Sequence, residues 1–311
     1  MEPQTQPSTQ PRPAGGKSEQ PRVVSTLLGH AHVDMALLCL GSLLGFSADR
    51  LRLRVHDDGS LTAADLERLA AGLRDPEVVP RREADERLAD HLAGRPATRA
   101  FRAANPLALK LVDVPLLAAA GELAYCDSDV LFLRPFARLF HLPPTAGALF
   151  MCDPQNAYSV RSWHLLRERR LRLAARVNTG IVGFRTGCYD LDLVEWFLAR
   201  PEYRFAPVWV EQTGWALLAQ PAGCLLLDPG AVGIPVPGRE PPERQVALHF
   251  VSPMRGLLEG VARRAAERTL GGEAREAVEV QRSPARRLTA AALAVTELRR
   301  RLRRLRPPGR R

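Results

Sequence analysis

The chain of 311 residues has no apolar run of the roughly 18 to 20 residues that a membrane-spanning helix needs; its most apolar windows, Met35–Phe46 and Val112–Ala120, stop short. An integral membrane protein is therefore not expected. Nor do the first 22 residues place an apolar stretch behind a basic start; their Pro, Gln, Ser and Gly content predicts a disordered tail, not a secretion signal. Cys-x-x-Cys pairs and Cys/His clusters of zinc-finger type are missing as well. The five cysteines, Cys39, Cys126, Cys152, Cys188 and Cys224, are wide and irregular in spacing, and read as small buried hydrophobes in a reducing, cytoplasmic setting. Lysine is nearly absent: of 44 basic residues only Lys17 and Lys110 are not arginine.

Acids are scarce at one end of the chain. Residues 282–311 hold 11 arginines against one acid, Glu297, which accounts for the whole formal charge of +10 and leaves the body neutral. A folded basic face gripping a phosphate backbone is not expected, so nucleic acid is excluded as a partner. Within this segment Leu288, Ala292, Val295, Leu298, Leu302 and Leu305 recur at helical spacing among arginines, the pattern of a basic amphipathic helix. Two roles stay open for it: adsorption to an anionic membrane surface, peripheral to its inner face, or a solvated or partner-packed helix.

What is present is an ordinary globular composition, 46% hydrophobic and 25% charged, in a chain long enough to bury a large core without disulfides. Strand and helix patterns alternate. Val23–Leu28 is a β-branched run ended by Gly29 and followed by a helical pattern through Leu44; Leu51–Val55 is a second strand, leading into Asp57 and Asp58. Thr62 and Asp65 form a capping box for the next helix, and Pro76–Val79 precedes a charged helix from Arg81. A buried helix is predicted over Leu107–Ala120, then a strand over Leu123–Cys126. Further strands are predicted at Ala148–Met151, Gly180–Phe184 and Val246–Val251, with helices at Leu191–Leu198 and Val208–Leu218. The pattern predicts an α/β fold whose ligand crevice lies at the carboxyl ends of the strands. The expected units are a tail over 1–22, a domain over 23–256 and a basic helical segment over 257–311.

The chemistry gathers at those strand ends. Asp127 and Asp129, flanking Ser128 at the end of a buried strand, fall on one side of an extended chain and can converge on a hard cation, Mg²⁺ or Mn²⁺, carrying a diphosphate. Such a pair is also a common turn former. Lys110, at the start of the helix leading into that strand, offers a phosphate a compact ammonium. Asn178-Thr179-Gly180 supplies hydrogen bonds with little bulk, as a sugar ring needs, and Glu211-Gln212 sets a carboxylate and an amide between Trp209 and Trp215. His249, on the last strand, can complete a metal site begun by Asp129.

From about Val23 to Arg255 this order of features resembles the nucleotide-sugar-dependent glycosyltransferases of the GT-A fold, particularly the glycogenin- and galactosyltransferase-like branch. The resemblance rests on the lysine helix, Tyr-Cys-Asp-Ser-Asp-Val-Leu-Phe, Asn-Thr-Gly-Ile-Val-Gly-Phe, the acid-Gln pair and the late strand histidine. It implies a GT-A-like Rossmann-type mixed sheet flanked by helices, with a basic amphipathic helix at the carboxyl end. It also implies transfer of a sugar from a nucleotide-diphosphate donor to the hydroxyl of a carbohydrate, lipid-linked or small-molecule acceptor. By the same resemblance Asp127, Asp129 and His249 hold Mn²⁺ or Mg²⁺. Gly29, Asp57, Asp58, Lys110, Asp127, Ser128, Thr179 and Gly180 border the donor, and Glu211, Gln212 and Asn178 are the catalytic candidates. Two departures stand out: Arg255 follows His249 where that group has Lys-Pro-Trp, and Glu211 replaces its more usual Asp. Two alternatives are kept, a haloacid-dehalogenase-like phosphatase using Asp127 as nucleophile and Asp129 as acid, and a non-catalytic sugar-binding relic of the transferase fold.

Overall fold

A computed structural model of the chain describes residues 20–119, 121–270 and 276–305. Strand β1 (Arg22–Leu28) leads into α1 (Val33–Phe46), β2 (Leu51–Asp57), α2 (Ala63–Gly72), β3 (Glu77–Val79), α3 (Arg81–Leu92) and α4 (Pro96–Ala104). The capping box of α2 forms in full: Thr62 Oγ1 accepts from the Asp65 amide, and the Asp65 carboxylate accepts from Thr62 N. The single helix expected over Leu107–Ala120 is instead two short turns, α5 (Ala108–Leu111) and α6 (Asp113–Leu116). Pro115 lacks the amide hydrogen that would bond back along a continuous helix, and the break explains the split.

The chain continues through β4 (Glu122–Cys126), β5 (Val130–Phe132), β6 (Phe136–Ala137), β7 (Ala148–Cys152), α7 (Ser162–Arg167) and β8 (Val177–Arg185). Then come α8 (Leu191–Leu198), α9 (Val210–Ala222), β9 (Cys224–Leu227), β10 (Val232–Gly233), β11 (Ala247–His249), α10 (Leu258–Leu270), β12 (Val278–Glu279), β13 (Arg282–Pro284) and α11 (Ala290–Leu305). Eight strands form one mixed sheet in the order β13-β9-β7-β8-β4-β1-β2-β3. From β4 outward to β3 the pairing is parallel, whereas β8 runs antiparallel to both β4 and β7. A smaller sheet, β10-β11-β5, lays β11 antiparallel to β5, directly after the Asp127–Asp129 turn. Two apolar clusters hold the main sheet, one including Tyr125, Phe150, Phe184 and Trp215, the other Val24, Leu40, Val55 and Phe132.

Segment 257–311, expected as a separate unit, is joined to the domain in its described part. Strand β13 bonds to β9 and so extends the main sheet, β12 pairs with β6, and Leu288 and Leu293 enter the larger core. An open strand edge and buried leucines give the segment a place on the domain. The inner face of α11 is set by Leu293 and Thr296; Val295, Leu298 and Leu302 of the expected apolar stripe are exposed. Residues 1–19 of the expected tail and residues 306–311 lie outside the described residues. Among the described residues, no helix is long and apolar enough to cross a membrane.

Candidate active site

The crevice is built where β1, β2, β4 and β8 expose chemistry at their ends. Strand β8 begins three residues earlier than expected, so Asn178-Thr179-Gly180 lies within it, not ahead of it. The pairing of β7 with β8 jumps from Phe150↔Val182 to Met151↔Asn178, so residues 179–181 bulge out of that ladder. On its other edge Gly180 still accepts a hydrogen bond from Asp127 N at 2.8 Å, which brings the bulge against the acid turn.

Two acids and one imidazole converge there. One ligand atom each of Asp127, Asp129 and His249 lie within 4.8 Å of one another. His249 Nε2 is 3.1 Å from Asp129 Oδ1 and 3.5 Å from Asp127 Oδ2. The orientation of His249 is set from behind. Asn178 Nδ2 donates to Asp153 Oδ2 at 3.3 Å, so its Oδ1 is left to accept from His249 Nδ1 at 2.9 Å and from Gly180 N at 3.0 Å. Nδ1 therefore carries the proton, and Nε2 faces the acids. Two carboxylates and one imidazole nitrogen are a donor set that fits a divalent Mn²⁺ or Mg²⁺.

Charge is balanced around this triad. Lys110, 3% exposed, donates from Nζ to both oxygens of Asp127 at 2.8 Å, and Tyr125 OH donates to Oδ1 at 2.7 Å. Burial works against the ammonium, but Asp127 and Glu211 hold its pKa above the ordinary lysine value. Burial also pushes the Asp129 carboxyl up, yet His249 and Arg255 prevail and hold it well below the usual carboxylate range. His249 shows the mirror image: burial lowers its pKa, and Asp129 and Asp127 more than restore it. Arg255 donates from Nε and Nη2 to Asp129 Oδ2 at 3.1 and 2.8 Å, and its Nη1 lies 3.0 Å from His32 Nε2. That links the segment after Gly29 to the acid turn.

Glu211 stands one layer deeper, 3.8 Å from Lys110 Nζ through Oε1, with Oε2 accepting from Thr179 Oγ1 at 3.1 Å. Its Oε1 is buried without a hydrogen-bond partner. Burial, only partly offset by Lys110, pushes its pKa up to about 7. Gln212 commits its amide to the Ala157 carbonyl at 2.8 Å. Trp215 is core, packed against Phe150 and Phe184, and does not face the crevice as a sugar-stacking ring. At the ends of β1 and β2, Asp57 Oδ1 closes a turn by accepting from Gly59 N and Leu61 N. Asp58 Oδ1 accepts from Ser60 N and Oγ, while a Cβ on Gly29 would fall 2.7 Å from Asp58 Cγ. Ser128 stands half-buried in the acid turn.

Asp153 and His32 escaped the sequence reading. Asp153 is buried at the end of β7, and burial raises its pKa. A lone Asp and a His-x-His after Gly29 carry no pattern that would have marked them.

No family model and no curated protein matches the sequence. Solved structures do. Mouse xyloside xylosyltransferase 1 in its apo form superposes with a TM-score of 0.52 at 12% identity, over 75% of this chain and 98% of that one. The galactosyltransferase LgtC with donor and acceptor sugar analogs gives 0.49 at 13%, over 79% and 94%. Core-mannan synthase A from Aspergillus fumigatus, in an Mn/GDP form, gives 0.43 at 10%, over 68% and 74%. The mixed sheet and the likeness to the xylosyltransferase together establish the fold of this chain as that of the GT-A glycosyltransferases.

Proposed function

We propose that the protein transfers a sugar from a nucleotide-diphosphate donor to an acceptor hydroxyl, with Asp127, Asp129 and His249 holding Mn²⁺ or Mg²⁺. The observation that carries this reading is the convergence of those three residues at the end of β4, beside a buried lysine. The name of the structural neighbour at a TM-score of 0.52, a xylosyltransferase, agrees with it.

When bound, the ion supplies positive charge against the negative charge that builds on the leaving diphosphate. Lys110 and Arg255 are the chain's own cations for the same task. Lys110 is fixed by Asp127 before the donor arrives and needs no reorganisation. Arg255 pairs with both Asp129 and His32, so it spans the acid turn and the loop after β1, where a diphosphate would lie. Thr179 and the Glu211 Oε1 face inward as acceptors for sugar hydroxyls. With a pKa near 7, Glu211 can hold or release a proton at its carboxyl, the property a base toward an acceptor hydroxyl requires. Gly29, Asp57, Asp58 and Ser128 are assigned to the nucleoside side of the donor. Four buried free thiols and one half-buried suit a reducing cytoplasm.

The phosphatase alternative is less favoured: His249 and Arg255 hold the Asp129 carboxyl below the usual range, which does not suit an acid that must donate a proton. The non-catalytic relic is separated by turnover. Melting temperature is measured with a panel of nucleotide sugars, with and without Mn²⁺, and donor hydrolysis is followed in parallel for the native chain and Asp129→Ala. A donor-specific rise that needs the metal, with hydrolysis lost in the folded variant, is expected. Undiminished turnover by Asp129→Ala refutes the assignment, and binding without turnover across a broad acceptor panel favours the relic.

A further inference from the structure

The transferase reading leaves one surface without a role. Trp163, Leu166, Phe205 and Val208 are 44%, 76%, 57% and 69% exposed, and the site described above uses none of them. The segments that carry them adjoin α11, where Leu298 and Leu302 are also more than half exposed. Side-chain contacts knit these segments together. Glu297 of α11 accepts from Ser162 N and Oγ at 2.9 and 3.0 Å, Arg300 lies 4.0 Å over the Trp209 ring, and Arg161 lies 3.5 Å over Phe205.

The charge around these apolar groups is mostly positive, although Glu202 also lies nearby. Residues 161–172 hold five arginines against Glu168, and residues 290–305 hold five against Glu297, whose carboxylate is already engaged by Ser162. Exposed aromatic and aliphatic side chains ringed by cations match the boundary of an anionic bilayer. There ring and methyl groups enter the acyl edge, and guanidinium groups meet phosphate. A second copy of the chain seated on the same patch would set arginine against arginine, so self-association is disfavoured.

We infer that this patch docks the protein on an anionic lipid bilayer, and that the acceptor is a membrane-resident or lipid-linked glycan. The second half rests on the transferase reading and on position. Arg300 also donates to the Asn156 carbonyl at 3.0 Å, and the loop carrying Asn156 begins at Asp153, which touches Asn178 in the crevice. The docking patch thus borders the rim of the site.

Co-sedimentation of the full chain is compared on vesicles of phosphatidylcholine alone and of phosphatidylcholine with phosphatidylglycerol. The native protein is expected to prefer the anionic vesicles, with binding that weakens as salt rises. Leu166→Glu combined with Phe205→Ser should lower that partitioning by about tenfold or more. Leu298→Glu on α11 serves as the independent variant, and circular dichroism verifies that each is folded. Mn²⁺-dependent donor hydrolysis in free solution should be unchanged in all of them, so the docking claim and the transferase claim can fail separately. Equal partitioning of native and variant chains overturns the proposal, as does a native chain that ignores both vesicles. Light scattering provides a further arm: self-association that the variants abolish, without vesicle binding by the native chain, would make the patch a contact between copies and overturn bilayer docking.

Discussion

Gly180 presses its bare backbone against the imidazole of His249: a Cβ built there would lie 2.8 Å from both Cγ and Cε1, and closer still to Nδ1. The bulge in β8 delivers this approach, and glycine alone permits it. Gly180→Ala should displace the ring without removing any ligand atom. Mn²⁺ affinity by calorimetry is expected to fall by roughly tenfold or more, with the fold retained by circular dichroism. Native affinity in that variant would show that His249 does not hold the metal.

Asn178 was named from the sequence as a catalytic candidate, and the structure gives it a positioning role as well. Its amide stands between the Asp153 carboxylate and His249 Nδ1. Asn178→Ala should weaken Mn²⁺ binding by about 10- to 100-fold. Asn178→Asp keeps an acceptor for Nδ1 and should recover part of that loss, although it places a second carboxylate beside Asp153. A variant in which turnover drops while metal affinity stays native would confine Asn178 to the sugar.

The convergence of Asp127, Asp129 and His249 was legible because each member carries a local signal. Asp127 and Asp129 share a strand-end period, His249 ends an apolar strand, and Lys110 stands out in a chain that otherwise uses arginine. The alternation of strands and helices marked six of the eight strands of the main sheet, β1 to β4, β7 and β8. Other features depend on contacts made only after the chain wraps. Strand β13 has three residues and exists because the edge of β9 is open to it. Asp153 acquires a role only through the amide of Asn178, and the bulge at 179–181 is a mismatch of length between β7 and β8 that neither strand shows alone. The places of Trp209 and Trp215 depend on the wrap for a related reason: on α9 and its approach they divide between a half-buried surface under Arg300 and the core.

Glu211 gives a stability signature. Its folded pKa, about 7, is raised above the ordinary glutamate value of 4.5. Between those values the folded chain keeps a proton that the unfolded chain has lost, so this group lowers stability as pH rises through that window, and the loss levels off above about pH 7. The upper limit is on the order of 3.5 kcal/mol, from 2.5 pH units at about 1.4 kcal/mol each. Glu211→Gln, close in volume, should flatten this part of the profile and raise stability at pH 8 in urea titrations. Parallel native and variant profiles would mean that Glu211 is ionised throughout.

His249 sets the opposite dependence for the metal. Asp129 and Asp127 raise its folded pKa above the ordinary 6.5, so the stability it gains from those acids is complete below that value. That contribution is lost as pH rises through the folded pKa. A metal ion needs Nε2 without its proton, and binding must therefore expel one proton wherever His249 is charged. Mn²⁺ affinity should rise by about tenfold per pH unit below the folded pKa and level off above it. Calorimetry in buffers of different ionisation enthalpy counts the protons directly. Proton release that approaches one per ion toward low pH and falls toward none at high pH is the expected result. Release that does not change with pH would remove His249 from the coordination set and leave the two acids alone.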